Sequence, residues 1–362
     1  MPRPEEVAEL VVNGSTFRDW TSVMVQHRYA EAFHIFKFTA AEKKDLPPFW
    51  TKLQFKPGDK CEIFLAGILA MSGFITQRQV AYDAERHGIE LIGKSWSWII
   101  SKSSVKPANY DGYSWSAIAR AELARFGGSL NVVGTLDETP FENCQTHPGE
   151  PVWSFLERLA RMRGIIIGAG PPTTNSLTAI GDHDVAVEDA LIEGGNIFKA
   201  NCVISNEFIY AQYAAIGQVH GTDQRWGTDA SEQEAQVGGS DNQPSAIVTP
   251  SEQPVTLPEL QRRAEFEARW HQGTEVTAQI TVQGWLRPSQ ADLWRIGSTA
   301  QVTSPMLMLN DPLSIQNATF SQSSESGTIT TLDLVLPWFL NGHLDLSAAN
   351  IPGPPGRAIP NP

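Results

Sequence analysis

The sequence predicts a mainly β protein with an α+β middle: two similar small β-barrel domains related by internal duplication, a helix-containing middle domain and an inserted segment. Three observations carry that expectation. Short alternating apolar runs, broken by Gly, Pro and Asn-Gly turns, fill the first part of the chain. Helical spacing takes over in the middle. Near the C-terminus the opening strand pattern returns.

The elements follow in order. Asn13-Gly14 separates VAELVV (7–12) from FRDWTSVMVQHRY (17–29), the strongest short-range signal for a hairpin. AFHIFKFTA (32–40) continues the sheet, and a Pro-containing loop from Leu46 to Trp50 follows. In FKPGDKCEIFLAGILAMSGFI (55–75) a Pro-Gly turn leads into an alternating strand, and further strands are expected at 72–82 and 88–95. SWSAIARAELARFGG (114–128) repeats Trp115, Ile118 and Ala121 on one face, with Gly127-Gly128 as its stop. The helix in GEPVWSFLERLARMRG (149–164) is clearer, with Val152, Phe155, Leu156, Leu159 and Met162 forming one apolar stripe. Pro151 suits its first turn, Glu150 sits at the positive end of its dipole, and Arg161 and Arg163 sit at the negative end. The strand-like IIIGAG comes directly after.

Residues 217–256 are polar and rich in Gly, Ser and Gln, so they are expected to form an inserted loop or a partly disordered segment. LPELQRRAEFEARWHQG (257–273) reads as a helix, with Pro258 in its first turn and Gly273 at its stop. The chain ends in IPGPPGRAIPNP, expected to be extended or disordered.

At a constant offset of 239, the stretch from Trp294 onward echoes the opening. Gly58 meets Gly297 before GDKCEIF and GSTAQVT, and Gly88 meets Gly327, closing DAERHG and QSSESG. These four glycines are expected to supply the structural turns of the duplicated barrels, where a tight reversal needs positive φ. Residues 196–218 take the part of 17–40 in the second copy. The resulting boundaries are 1–105 for the first barrel, 106–195 for the middle domain, 196–216 plus 274–340 for the second, split barrel, 217–273 for the insertion and 341–362 for the tail. Three chains of this kind place six similar units in one ring, sixfold in appearance and threefold in fact.

Composition narrows the function. A formal net charge of −13 opposes stable nucleic-acid binding, which draws most of its affinity from basic groups on phosphate. No stretch approaches the length of a membrane helix, and MPRPEEVAEL lacks the apolar core of a signal peptide, so the chain is expected to be soluble and made in a cytoplasm. Cys61, Cys144 and Cys202 are odd in number and widely spaced, suggesting reduced thiols rather than a disulfide framework or a zinc site. Eleven Trp favour partner interfaces.

No residue is assigned to catalysis, to a cofactor or to a metal. Gly168-Ala169-Gly170 is followed by Pro171-Pro172, which cannot open a phosphate-binding helix. GxxxxGK[ST], GxSxG and HExxH are missing. Asp182, His183 and Asp184 could suggest a metal, but their setting reads as a solvated turn; His27 and His34 read as sheet histidines, and His147 as loop. Glu150 and Glu157 share a helix as a conceivable hydrolytic pair, although dipole complementation and a pair between Glu157 and Arg161 suit them better. Arg158, Arg161 and Arg163 read as a solvated face or an acidic-partner dock.

The sequence resembles the baseplate hub proteins of contractile-tailed phages, specifically the Mu type, with the late control D proteins as broader relatives. VNGSTFRDWTSVMVQ, FKPGDKCEI, IELIGKS and above all GEPVWSFLERLARMRGIII carry the likeness, with EGGNIFKANCVISNEFIYAQYAAIGQ, RRAEFEARWHQG and GWLRPSQADLWRIGSTAQV completing it. The resemblance covers roughly 8–340 and leaves out the 217–256 insertion and the tail. It implies a homotrimeric ring in the virion, assembled in the host bacterial cytoplasm. Its partners would be the tail tube protein and the central spike protein, with baseplate wedge and tape-measure proteins as further neighbours. DNA would leave through the channel of the ring, repelled weakly if the lumen shares the acidic balance. The rivals are a tail-associated cell-wall or glycan hydrolase, and the same hub in a prophage-derived injection machine.

Overall fold

The computed structural model describes residues 6–42, 55–82, 87–218, 221, 223, 226–240, 245–251, 256–288 and 291–344. The expected Pro loop at 46–50, most of the DAERHG turn and the Pro-rich tail lie outside these residues.

The first seven strands are β1 (Ala8–Val12), β2 (Ser15–Phe17), β3 (Ser22–Arg28), β4 (Ile35–Glu42), β5 (Lys60–Leu65), β6 (Ile68–Tyr82) and β7 (His87–Ser95). Their alternation puts Leu10, Val25, Phe36, Phe38, Ile63 and Leu91 into the core, as period-two burial requires. The middle unit holds α1 (Trp98–Lys102), α2 (Trp115–Ala124), β8 (Ser129–Val133), α3 (Val152–Arg161), β9 (Ile166–Ala169) and β10 (Ser176–Ile180). The remainder comprises β11 (His183–Val185), β12 (Val187–Ile192), β13 (Ile197–Ile204), β14 (Gln212–Gly217), α4 (Thr228–Ser231), β15 (Gln233–Gly238), β16 (Ala246–Pro250), α5 (Leu257–Gly273), β17 (Val276–Gln283), β18 (Thr299–Ser304), β19 (Leu309–Ser323), β20 (Gly327–Val335) and β21 (Gly342–Leu344).

The duplication is visible in strand order. The first lobe runs β3-β4-β7-β6-β5-β1 and the second β13-β17-β20-β19-β18-β12, matched strand for strand. Both long strands, β6 and β19, carry a bulge at the same place, between Ile75 and Gln77 and between Ile315 and Asn317. One pairing differs: β1 joins β5 antiparallel, whereas β12 joins β18 parallel.

The lobes are not closed barrels. Where separate barrels were expected, β3 at the edge of the first lobe pairs with β19 of the second, so both lobes belong to one thirteen-stranded sheet. The physical reason is that an edge strand is satisfied as well by a neighbouring lobe as by its own sheet. One apolar core runs through both, from Leu10 and Phe38 to Trp285 and Leu332.

Register corrects the constant offset. The β18–β19 loop is two residues longer than the β5–β6 turn, and β6 bulges at Ala70 where β19 does not. Gly88 and Gly327, matched by sequence, therefore do not coincide. Gly88 pairs with Ala81 inside β7, and its counterpart by register is Ile329, opposite Ser321. The strand equivalent to β4 is β17, not β14. β14 leaves the large sheet and joins β15 and β16, with α5 packed over it through Ala215, Ala235, Leu260 and Ala264. Part of 217–256, expected to be loop or disorder, is thus a small sheet. Its polar sequence is compatible with that because one face stays solvated.

In the middle unit the apolar stripe of α3 is buried, as expected, against α2, with Trp115 wholly buried and donating from Nε1 to the Leu156 carbonyl at 3.0 Å. The sheet order is β8-β10-β9. A seam of main-chain hydrogen bonds docks this unit on the first lobe: Ala169 N–H to the Glu31 carbonyl (2.6 Å) and Ser72 N–H to the Pro172 carbonyl (2.9 Å). Gly168 lies so near that a Cβ there would meet the Ala30 nitrogen at 2.7 Å.

Candidate functional site

The feature that sets this chain apart is a pair of strand edges. Within the chain, β3 adds to the outer half of β19, with Val25 opposite Phe320 and Gln26 opposite Thr319. The equivalents of these two edges are β13 in the second lobe and the outer half of β6 in the first. Among the described residues β13 pairs with β17 alone, and residues 77–82 of β6 pair with β7 alone. Both carry apolar side chains facing water: Phe198 is 72% exposed and Val203 54% on β13, and Val80 is 44% exposed on β6. Each edge carries one exposed charge, Lys199 on β13 and Arg78 on β6, but no proline, and its exposed apolar residues still make it a template for another strand.

The face of the large sheet opposite the core is hydroxyl- and amide-bearing. Gln26 pairs with Thr319, Thr281 bonds Thr331 (3.1 Å), and Gln279 and Asn317 both donate to Asp333 (3.0 and 3.2 Å). Charge on it is compensated locally, as where Lys37 meets Glu90 at 2.7 Å.

A cleft of about 520 Å³ opens where the first lobe, the middle unit and the second lobe meet, lined by His27, Tyr29, Pro172, Asp184, Trp294 and Arg295 among others. Of the two sheet histidines, His27 stands at its wall and His34 lies beside it, the rings 5.7 Å apart; both are buried. His34 Nδ1 accepts from the Arg28 amide (2.9 Å), so Nε2 carries the proton and donates to the Gly170 carbonyl (2.8 Å). His27 Nε2 likewise donates to the Ala70 carbonyl at 2.9 Å. Burial depresses both imidazoles, His27 to about 3 and His34 to about 4, with the neighbouring ring adding to the effect on His27.

The other sequence-predicted groups are scattered. Gly58 has φ +101 and donates to the Ile75 carbonyl, and Gly297 has φ +79 and donates to the equivalent Ile315 carbonyl, each at 2.7 Å. Gly327 has φ +68 and opens β20. Residues 183–185, expected as a turn, form β11 beside β21, and Asp182 is engaged by Arg269 at 2.6 Å. His147 lies 3.9 Å from Glu150. Arg158 and Arg163 are not a solvated face or an acidic-partner dock. Both are buried, because Arg158 is gripped by both Glu150 oxygens at 3.0 Å, and Arg163 reaches Glu259 on α5 while stacking 4.0 Å over Phe141. Glu157 pairs with Arg161 at 3.2 Å as expected. Cys61 and Cys144 are buried and pushed up to about 12 and about 11, mainly by desolvation, while Cys202 is half-buried on β13. No described helix is long and apolar enough to cross a membrane.

The free edges themselves were missed in the sequence. Their signal was available: Val80 and Phe198 are apolar residues in segments that have no interior left to fill.

Residues 7–95 match the model of the N-terminal domain of Mu phage baseplate assembly protein GpP-like proteins, and residues 256–341 match that of the fourth domain of Mu phage baseplate assembly protein GpP. The chain belongs with the Mu-type baseplate hub proteins. The fold of this hub chain is shared with the 43 kDa tail protein of prophage MuSo2 from Shewanella oneidensis (TM-score 0.78, 20% identity, 92% of this chain and 99% of that one). It is also shared with a tail protein from Neisseria meningitidis MC58 (0.77, 17%, 92% and 98%). A component of the type VI secretion system from E. coli is more distant (0.53, 9%, 90% and 76%). Curated proteins gave no match. The hub chain is thus a structural tail or baseplate protein.

Proposed function

We propose that three copies of this chain close into a ring that joins the tail tube to the central spike and surrounds the DNA exit channel. The observation carrying this reading is the repeated strand order with its two unused edges. The joint inside the chain sets β3 on β19. The same joint between chains sets β13 of one copy on the outer half of β6 of the next. Transferring the register puts Cys202 opposite Val80 and Val203 opposite Gln79 of the neighbour. Such a head-to-tail contact closes when each step turns by the same angle, and alternating the two joints gives six lobes from three chains. The solvated sheet face, rich in Thr, Ser and Gln, offers a bore that neither grips phosphate nor strongly repels it.

The role is mechanical, with tube protein on one side, spike on the other, and wedge and tape-measure proteins as further neighbours in a virion assembled in the host cytoplasm. It needs no catalysis, and the carboxylates best placed for hydrolysis by sequence, Glu150 and Glu157, are each held by an arginine. The fold shared with a type VI component supports the same ring in a prophage-derived injection machine as the second reading.

A cross-link tests the joint. With Val80→Cys, mild oxidation should couple the new thiol to Cys202 of the next copy and yield a covalent species of three times 39.7 kDa. The species should vanish when Cys202→Ser is added. A hub variant that assembles in solution without this cross-link would sink the proposed register.

A further inference from the structure

The cleft where the two lobes and the middle unit meet plays no part in the ring reading, which needs only strand edges. Its volume of about 520 Å³ falls in the range of ligand pockets. Tyr29 lines it from the first lobe, Trp294 from the second, and Pro171 and Pro172 from the middle unit, so its walls are aromatic and apolar. Three acids also line it among the described residues. Glu188 is held by Arg287 at 2.8 Å and Asp292 by Arg295 at 2.5 Å. Asp184 is exposed and has no ion pair among the described residues, although Asp182 two positions earlier is engaged by Arg269.

The chain itself leads to this place. β21 runs parallel to β11, with His343 opposite Asp184 and Leu344 opposite Val185, and Val185 lines the cleft. Beyond Leu344 the sequence continues as DLSAAN and then IPGPPGRAIPNP. Six residues span up to ~20 Å, enough to bring residues 351–362 anywhere along the cleft. Five of those twelve residues are proline, whose fixed φ lowers the entropy cost of docking and whose rings pack well on aromatic walls. Arg357 is the one Lys or Arg after Leu344, and it matches the one lining acid left without a cation.

We propose that the cleft takes the chain's own proline-rich segment, residues 351–362, with prolines against Tyr29 and Trp294 and with Arg357 beside Asp184. Seated there, the segment would touch both lobes and the middle unit at once and tie them together.

Trypsin cuts after Arg357, so docking is read as protection of that bond. The full chain is digested under native conditions beside a synthetic peptide of residues 345–362, and release of residues 358–362 is followed by mass spectrometry. Cleavage in the chain should be at least tenfold slower than in the peptide and independent of protein concentration. Asp184→Lys, at an exposed position, should bring the rate up to that of the peptide. Pro354→Gly with Pro355→Gly should do the same, measured against a peptide with the same changes, and it alters none of the described residues. A wild-type chain cut as fast as the peptide overturns the proposal, and so does protection that survives both variants. Protection that is lost on dilution assigns the cleft to the segment of a second copy and overturns docking within one chain.

Discussion

Gly297 and Gly58 make the same turn and the same hydrogen bond, yet their surroundings differ. A Cβ at Gly297 would stand 2.8 Å from the Tyr29 ring, which is buried, whereas one at Gly58 would meet nothing within 4 Å. Gly58→Ala should therefore cost only the left-handed backbone penalty, about 1–2 kcal/mol. Gly297→Ala should cost clearly more, a ranking that urea unfolding of both variants can read. The buried histidines give a pH dependence. Unfolded imidazoles take up protons near 6.5, whereas His34 resists to about 4 and His27 to about 3. Their contribution is complete above pH 6.5 and is lost as pH falls toward 4 and 3, because acid protonates the unfolded chain first. Thermal midpoints should drop across that window, and His34→Gln should flatten the slope. A wild-type midpoint that is level from pH 7 to 4.5 would contradict the buried neutral pair.

At the scale of elements, α5 starts on a reciprocal cap: the Thr256 side chain meets its N3 backbone and the Glu259 carboxylate accepts from the Thr256 amide at 2.7 Å. Thr256→Ala should remove about 1 kcal/mol, seen as a lower denaturation midpoint with unchanged slope. Arg163→Ala should cost more, about 3–5 kcal/mol, since it strands Glu259 beside an emptied buried site. Both helices involved were legible from sequence, α3 through its apolar stripe and α5 through Pro258 and Gly273. The ion pair between them was not, because Arg163 and Glu259 are far apart in the chain and local periodicity carries no information on such meetings. The same limit hid the fate of β14. Its alternation marks a strand, but which sheet accepts a strand is decided by its neighbours, here β15, β16 and α5.

For the whole molecule, the repeat was legible because Gly58 and Gly297 flank strands of like pattern. The drift of the offset was not, since a two-residue loop extension and a bulge at Ala70 leave alternation intact on either side. Nor could alternation say whether a lobe closes on itself or passes its edge to a neighbour. If the edges do meet between copies, Val80→Lys should leave the isolated fold within about 0.5 kcal/mol, because that side chain is solvent-facing in the single chain. It should nevertheless hold the protein at monomer mass at concentrations where the wild type associates, as light scattering would show. Association of the variant equal to wild type would move the interface elsewhere.

The seam between the middle unit and the first lobe has a consequence for how this molecule tolerates change. Two of its bonds run from main chain to main chain, Ala169 to Glu31 and Ser72 to Pro172. Such contacts ask little of side-chain identity, so substitutions can accumulate along them while the docking geometry persists, in keeping with a fold held in common at 17–20% identity. An alanine scan across this seam would register mainly at Gly168, where a Cβ would meet the Ala30 nitrogen, and at His34, whose ring donates to the Gly170 carbonyl. Replacing the Ser72 amide by an ester, which deletes one donor and leaves every side chain in place, is the change that would loosen it.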